Sequence, residues 1–173
     1  MATSKPALSG NVPAKAPRII GENDKQRLDL AINRRVSERA YLLYEASGRG
    51  HGNHHAHWLQ AQSEVLQRGL EVRESGSWLS INASLPDVAS DDIEVYLEPD
   101  RVIVRAEKSQ TVQNAESHTQ GLTQPEIFLV EDLHSEVDPT TASAAFKDQR
   151  LTLMVKKRYP ITTALLNEST TQR

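Results

Sequence analysis

PEIFLVEDLHSEVDPTTASAAFKDQRLTLMVKK, Pro125 to Lys157, reads as strand, acidic turn, short strand, tight connection and final strand. Its last segment alternates: Leu151, Leu153 and Val155 share one face, and Thr152, Met154 and Lys156 the other. Upstream, WLSINASLPDVASDDIEVYLEPDRVIVRAEK, Trp78 to Lys108, keeps the same period of two. Leu79, Ile81, Ala83 and Leu85 fall on one side, and Ser80, Asn82 and Ser84 on the other. Pro86-Asp87 ends that strand. Ile93, Val95 and Leu97 alternate with Glu94, Tyr96 and Glu98, and Glu98-Pro99-Asp100 is a turn. Val102, Val104 and Ala106 then alternate with Arg101, Ile103 and Arg105. Short strands at this spacing, with no long helix among them, predict an antiparallel β-sandwich of immunoglobulin-like type over residues 77–158.

The period changes upstream. Leu28, Ile32, Val36, Ala40, Leu43 and Tyr44 recur at three- and four-residue steps, so residues 27–46 form a helix with one apolar stripe. Ser47-Gly48 offers it a left-handed cap. A second helix starts near Asn53 and carries Trp58, Leu59, Ala61, Val65 and Leu66 to about Gln67. Its apolar face is too small to stand alone, so residues 25–68 predict a helical hairpin that packs on itself or a partner. Residues 69–76 are expected as a linker. Residues 1–24, rich in Pro, Ala, Ser, Gly and Lys, and the polar end 159–173 are expected as disordered tails. The fold class is thus α+β: hairpin first, sandwich second.

Composition excludes several functions. The net charge of −3 gives no basic footprint for nucleic acid. No apolar run approaches the roughly 20 residues that span a bilayer. The N-terminus has no apolar core of a secretory signal. Cysteine is absent, which excludes disulfides, thiolate metal sites and a cysteine nucleophile. That fits a reducing, cytoplasmic setting. With aromatics at 5%, the core must be mainly aliphatic.

Candidate chemistry is sparse. His51, His54, His55 and His57 cluster within seven residues, with two pairs at helical spacing. Imidazole is the commonest metal ligand, but neither cysteine nor a neighbouring carboxylate completes a site. These histidines are therefore weak metal candidates, and the expectation is a hydrophilic turn with no metal. Asp91-Asp92 and Glu131-Asp132 are paired carboxylates at strand ends or connections, where solvated turns are expected rather than acid–base work. Arg34, Arg35 and Arg39 are expected on a solvated helix face. Known phosphate-loop, zinc-protease and nucleophile-elbow motifs are absent. The chain is expected not to be an enzyme and to need no cofactor.

The ordered strand pattern resembles the alpha-crystallin domain of small heat-shock proteins. Leu85 to Lys108 is similar to that family's proline-bearing turn, acidic pair, strand, tight turn and strand. Glu136 to Lys157 is similar to its Val-Asp-Pro, alanine strand and final strand. Three departures stand out. Gln149-Arg150-Leu151 replaces the family's Gly-Val-Leu. The segment SQTVQNAESHTQGLTQ, 109–124, lacks the aromatic and arginines of the bacterial strand-exchange loop. The tail has only Ile161-Thr-Thr where the family carries two aliphatic anchors. Arg39 to Leu66, with Arg39-Ala40-Tyr41, Tyr44-Glu45, Gly48, Gly52, Trp58, Ala61 and Glu64, also resembles a short bacterial helical domain of unknown function.

The first resemblance implies an ATP-independent holdase that binds unfolded proteins or other protein partners. Val102, Val104, Leu151, Leu153 and Val155 are candidate groove residues, and alternation leaves open whether they line a groove or belong to the core. Ile161 is a candidate tail anchor able to fill one pocket of a neighbour. A monomer or homodimer is expected rather than a large shell. The alternative is a structural or adaptor protein whose helical hairpin is the recognition surface.

Overall fold

The computed structural model describes residues 16–49, 52–108 and 126–159. Strand β1 (Arg18–Ile20) leads into α1 (Glu22–Ala46), which is followed by α2 (His54–Val65). Gly48 takes a φ of +78° at the end of α1, the left-handed conformation expected there. Then come β2 (Leu66–Gln67), β3 (Glu71–Ser75), β4 (Trp78–Ser84), β5 (Val88–Leu97), β6 (Arg101–Lys108), β7 (Glu126–Asp132), β8 (Val137–Lys147) and β9 (Arg150–Lys157).

They form two sheets. One runs β1-β5-β6-β7-β2 and the other β3-β4-β9-β8. Most neighbours are antiparallel, as expected; β1 on β5 and β2 on β7 are parallel additions at the two edges of the first sheet. Alternation explains the layering. The inward residues of β4, β5, β6 and β9 close one aliphatic core between the sheets. Every buried residue of this core lies between Leu70 and Val155.

Two expectations are corrected. Residues 18–24 are not tail: Ile20 is buried, and Arg18, Ile19 and Ile20 pair with Glu94, Val95 and Tyr96 of β5. Residues 71–75 are not linker: β3 pairs with β4 from Glu71↔Asn82 to Ser75↔Trp78. The segments 1–15, 109–125 and 160–173 lie outside the described residues.

The helical hairpin does not stand apart. It lies on the outer face of the five-stranded sheet, where Leu28 of α1 packs with Ile20, Tyr96 and Phe128. Ala31, Ile32, Val65, Leu66 and Ile103 flank that cluster. Tyr96, Ile103 and Phe128 occupy outward positions of their strands, and burying them under α1 removes apolar surface from water.

Candidate functional site

Val102, Val104, Leu151, Leu153 and Val155 all have zero exposure. Register explains this. Leu151, Leu153 and Val155 stand opposite Ala83, Ile81 and Leu79, and Val104 opposite Val95, all facing the inside of the sandwich. Of the two roles that alternation left open for these five, their burial is that of core. Ile161 lies outside the described residues.

The open surface lies at the end of the sandwich. A cavity of about 680 Å³ sits between β1, the β5–β6 turn and the start of β8. Ile19, Ile20, Tyr96, Leu97, Pro99 and Pro139 give it apolar walls. Gly21, which joins β1 to α1, lines it too, and nothing lies within 4 Å of where a Cβ would stand there. The turn is held by Glu98 N–H donating to Arg101 O at 2.8 Å and Val137 N–H donating to Pro99 O at 2.7 Å. Burial pushes the Tyr96 phenol up to about 12, and its hydroxyl donates to the Glu22 carboxylate. Beside the cavity, β8 is the outer strand of its sheet. Outer strands present backbone donors and acceptors to an incoming strand. The cavity therefore offers what an extended peptide needs: an edge to pair with and an apolar recess for a side chain.

Charges tie the hairpin to the sheet. Glu94 of β5 accepts from Arg27 of α1 at 2.6 Å and from Arg105 of β6 at 3.0 Å, with Arg18 of β1 at 3.4 Å. Burial alone would raise the Glu94 carboxyl, but the hydrogen bonds from Arg27 and Arg105 outweigh it and hold the group below the ordinary carboxylate range. Arg105 also donates to Glu126 at 3.0 Å, and Arg34 reaches the same carboxylate at 3.3 Å. Arg35 stands 3.8 Å from it. The Glu126 side chain is 3% exposed, so its carboxylate is desolvated and depends on these partners. Arg39 pairs with Glu64 of α2. Arg34 is exposed and Arg35 and Arg39 are half-buried, so the expected solvated face holds in part, and all three also pair with acids of neighbouring residues. The sequence did carry a signal for the docking of α1, in the apolar Tyr96, Ile103 and Phe128 at positions that alternation assigns to water.

The remaining candidates do not converge. Asp91 and Asp92 are exposed at a register shift in β5. Glu131 accepts from Arg68 at 2.9 Å and Asp132 from Arg101 at 2.8 Å, so both are ion-paired. The Arg101 hydrogen bond lowers the Asp132 carboxyl. His54 and His57 lie beside Tyr44, with ring centroids 5.9 and 6.4 Å from it, while His55 points into solvent. His51 lies outside the described residues. Among the described residues no three His, Cys, Asp or Glu side chains converge as a metal site. Among them, too, no helix is long and apolar enough to cross a membrane.

The Hsp20/alpha crystallin family matches residues 71–166, and a family described as protein of unknown function (DUF2934) matches residues 33–67. Several solved structures are similar. Heat shock protein 16.0 from Schizosaccharomyces pombe is 17% identical, covers 62% of this chain and 96% of that chain, and has a TM-score of 0.44. HSP18.5 from E. histolytica is 10% identical, covering 61% and 95%, with a TM-score of 0.43. The hspA protein from Xanthomonas axonopodis is 17% identical, covering 53% and 93%, also at 0.43. No curated protein matches the chain. The first family match spans more than half of the chain, which therefore belongs to the Hsp20/alpha crystallin family.

Proposed function

From that membership, we propose that the protein is an ATP-independent, non-catalytic holdase of the cytoplasm. It binds extended apolar segments of unfolded proteins at the end of the sandwich. The observation that carries this reading is the cavity of about 680 Å³ beside the outer strand β8. An incoming segment adds to β8 through backbone hydrogen bonds and places an aliphatic side chain against Tyr96, Leu97 and Pro139. In a homodimer, Ile161 of one copy is the proposed occupant of the other copy's cavity.

The test is suppression of aggregation of heat-unfolded citrate synthase without ATP. The wild-type chain is expected to suppress it. Gly21→Phe is expected to lose suppression at unchanged melting temperature, because its ring enters the cavity from a position with free space around it. An inactive wild type, or a fully active Gly21→Phe, overturns the reading.

A second reading is an adaptor that recognises partners through the hairpin. The observation in its favour is that Tyr41, Leu42, Trp58 and Leu59 stay exposed there. An inactive wild type, together with a partner lost in Leu42→Ser/Leu59→Ser, would favour it.

A further inference from the structure

The helical hairpin holds a cavity of its own, of about 280 Å³, which shares no lining residue with the one at the end of the sandwich. Ser37, Ala40, Tyr41 and Tyr44 recur at three- and four-residue steps and share one face of α1; His54, His57 and Trp58 do the same on α2. The hairpin turns these two faces together, and the short side chains of Ser37 and Ala40 leave room among the five rings. The polar atoms of α1 are turned away from that room. The Ser37 hydroxyl donates to Asn33 O at 2.8 Å. The Tyr41 hydroxyl donates to Glu45 at 3.0 Å, a bond that raises the phenol above its ordinary value, and Arg49 neutralises Glu45 at 2.9 Å. Among the described residues no Asp, Glu, Lys or Arg lines the cavity. The end of α1 and the start of α2 meet here, and their opposite dipoles offset one another. The field inside is therefore that of the rings, which is negative over each aromatic face.

We propose that this aromatic cup binds the trimethylammonium group, a compact organic cation. Shape and field point the same way. Tyr44 is inclined 32° to His54 and 68° to His57, with ring centroids 5.9 and 6.4 Å apart. Rings so inclined make the walls of a cup, whereas a flat ligand needs parallel walls to stack between. A rounded cation meets several faces at once, and its methyl groups bury against them without requiring a hydrogen bond. Tyr41 and Trp58 are exposed, so they form the rim and leave the mouth open. Every lining residue falls within 33–67, the segment matched by the family of unknown function, and the sandwich supplies none. The site is therefore independent of the holdase reading.

The chain has two tryptophans. Trp58 lines the cavity, while Trp78 lies in β4 beneath the Lys156 ammonium. Their indole N–H signals, followed by NMR in the full chain, give a reporter and an internal control. The probes are choline and dimethylbutanol, its neutral carbon isostere, titrated at about pH 8, where an ordinary imidazole is uncharged. The two share their shape and their hydroxyl, so a difference between them reads the charge. The trimethylammonium group occurs on free solutes and on trimethylated lysine side chains. An acetylated trimethyllysine amide is the third probe, and whichever of it and choline binds more tightly names the source.

Choline is expected to shift the Trp58 signal, to leave that of Trp78 in place, and to bind about tenfold more tightly than dimethylbutanol. Tyr44→Leu removes one aromatic face and is expected to weaken choline binding several-fold, while Tyr44→Phe keeps the face and is expected to bind as the wild type does. The comparison of choline with dimethylbutanol needs no variant, so it decides the matter even where Tyr44→Leu disturbs the hairpin. Equal affinity for the two probes would reduce the cup to an apolar recess and overturn the inference. So would an unmoved Trp58 signal, equal movement of both indoles, or loss of choline binding in Tyr44→Phe.

Discussion

At Gln149 the backbone takes a conformation that side chains resist. Asp148 and Gln149 have φ values of 51° and 61° and close a two-residue turn between Lys147 and Arg150. That is the hairpin turn whose twist matches its strands, and glycine suits it best. Asp148 tolerates it, but Gln149 bears the crowding of a Cβ. The resemblance led to a glycine in this corner, and its absence leaves the turn intact but strained. Gln149→Gly is expected to stabilise the fold by about 0.5–1 kcal/mol, the relief of crowding less the added freedom of the unfolded chain. Urea unfolding measures it; the backbone bond from Leu85 N–H to Gln149 O, at 2.8 Å, does not depend on the side chain. Leu153 is the opposite case. It is fully buried opposite Ile81, so Leu153→Ala should cost about 2–5 kcal/mol through lost burial and a cavity. A groove role predicts unchanged stability with weakened client binding, and the same urea experiment separates the two.

The strands of the sandwich proper were legible because each alternates over several residues and ends on a turn signal. β1 and β3 were not. β1 is Arg-Ile-Ile, too short to show a period, and its pairing partner lies 76 residues away. β3, Glu-Val-Arg-Glu-Ser, has only Val72 half-buried, so its composition is that of a linker although its backbone is laddered. Alternation separates inside from outside, but it could not separate core from groove for Val102 or Leu153, since both roles call for the same side chain. The cavity at the end of the sandwich was invisible for another reason: its walls come from β1, a turn and β8, brought together only by the fold. Docking of α1 onto the sheet carries a pH prediction. Glu94 faces Arg18 from β1, Arg27 from α1 and Arg105 from β6, and its folded carboxyl is held low. Its contribution is therefore intact above the unfolded value of about 4.3 and is lost as pH falls through the lower folded value. Amide exchange of α1 should accelerate below that value before exchange in β4 or β9 does. Simultaneous loss of protection in all three would show that α1 and the sandwich are a single cooperative unit.

Assembly follows from which edges the whole molecule leaves open. In the five-stranded sheet both outer positions are taken by the chain's own β1 and β2, which cover β5 at Glu94–Tyr96 and β7 at Phe128–Leu129 and so shorten the edge each offers to another copy. The four-stranded sheet ends on β3 and β8. β3 presents exposed Glu71, Arg73 and Glu74, charges that discourage edge-to-edge pairing. β8 carries Pro139 and a register shift between Asp138 and Ser143, so it can accept one short added segment but not a continuous ladder. Two guarded edges can support a pair of copies but give poor propagation into a shell. The full chain is therefore expected as a monomer of 19.3 kDa or a dimer when its mass is measured by light scattering. Lys25→Gln/Arg27→Gln, which loosens α1 and the attached β1 over β5, should shift that distribution upward by freeing an edge. A wild-type species many times the chain mass would mean that β3 and β8 alone sustain assembly, and that β1 does not govern it.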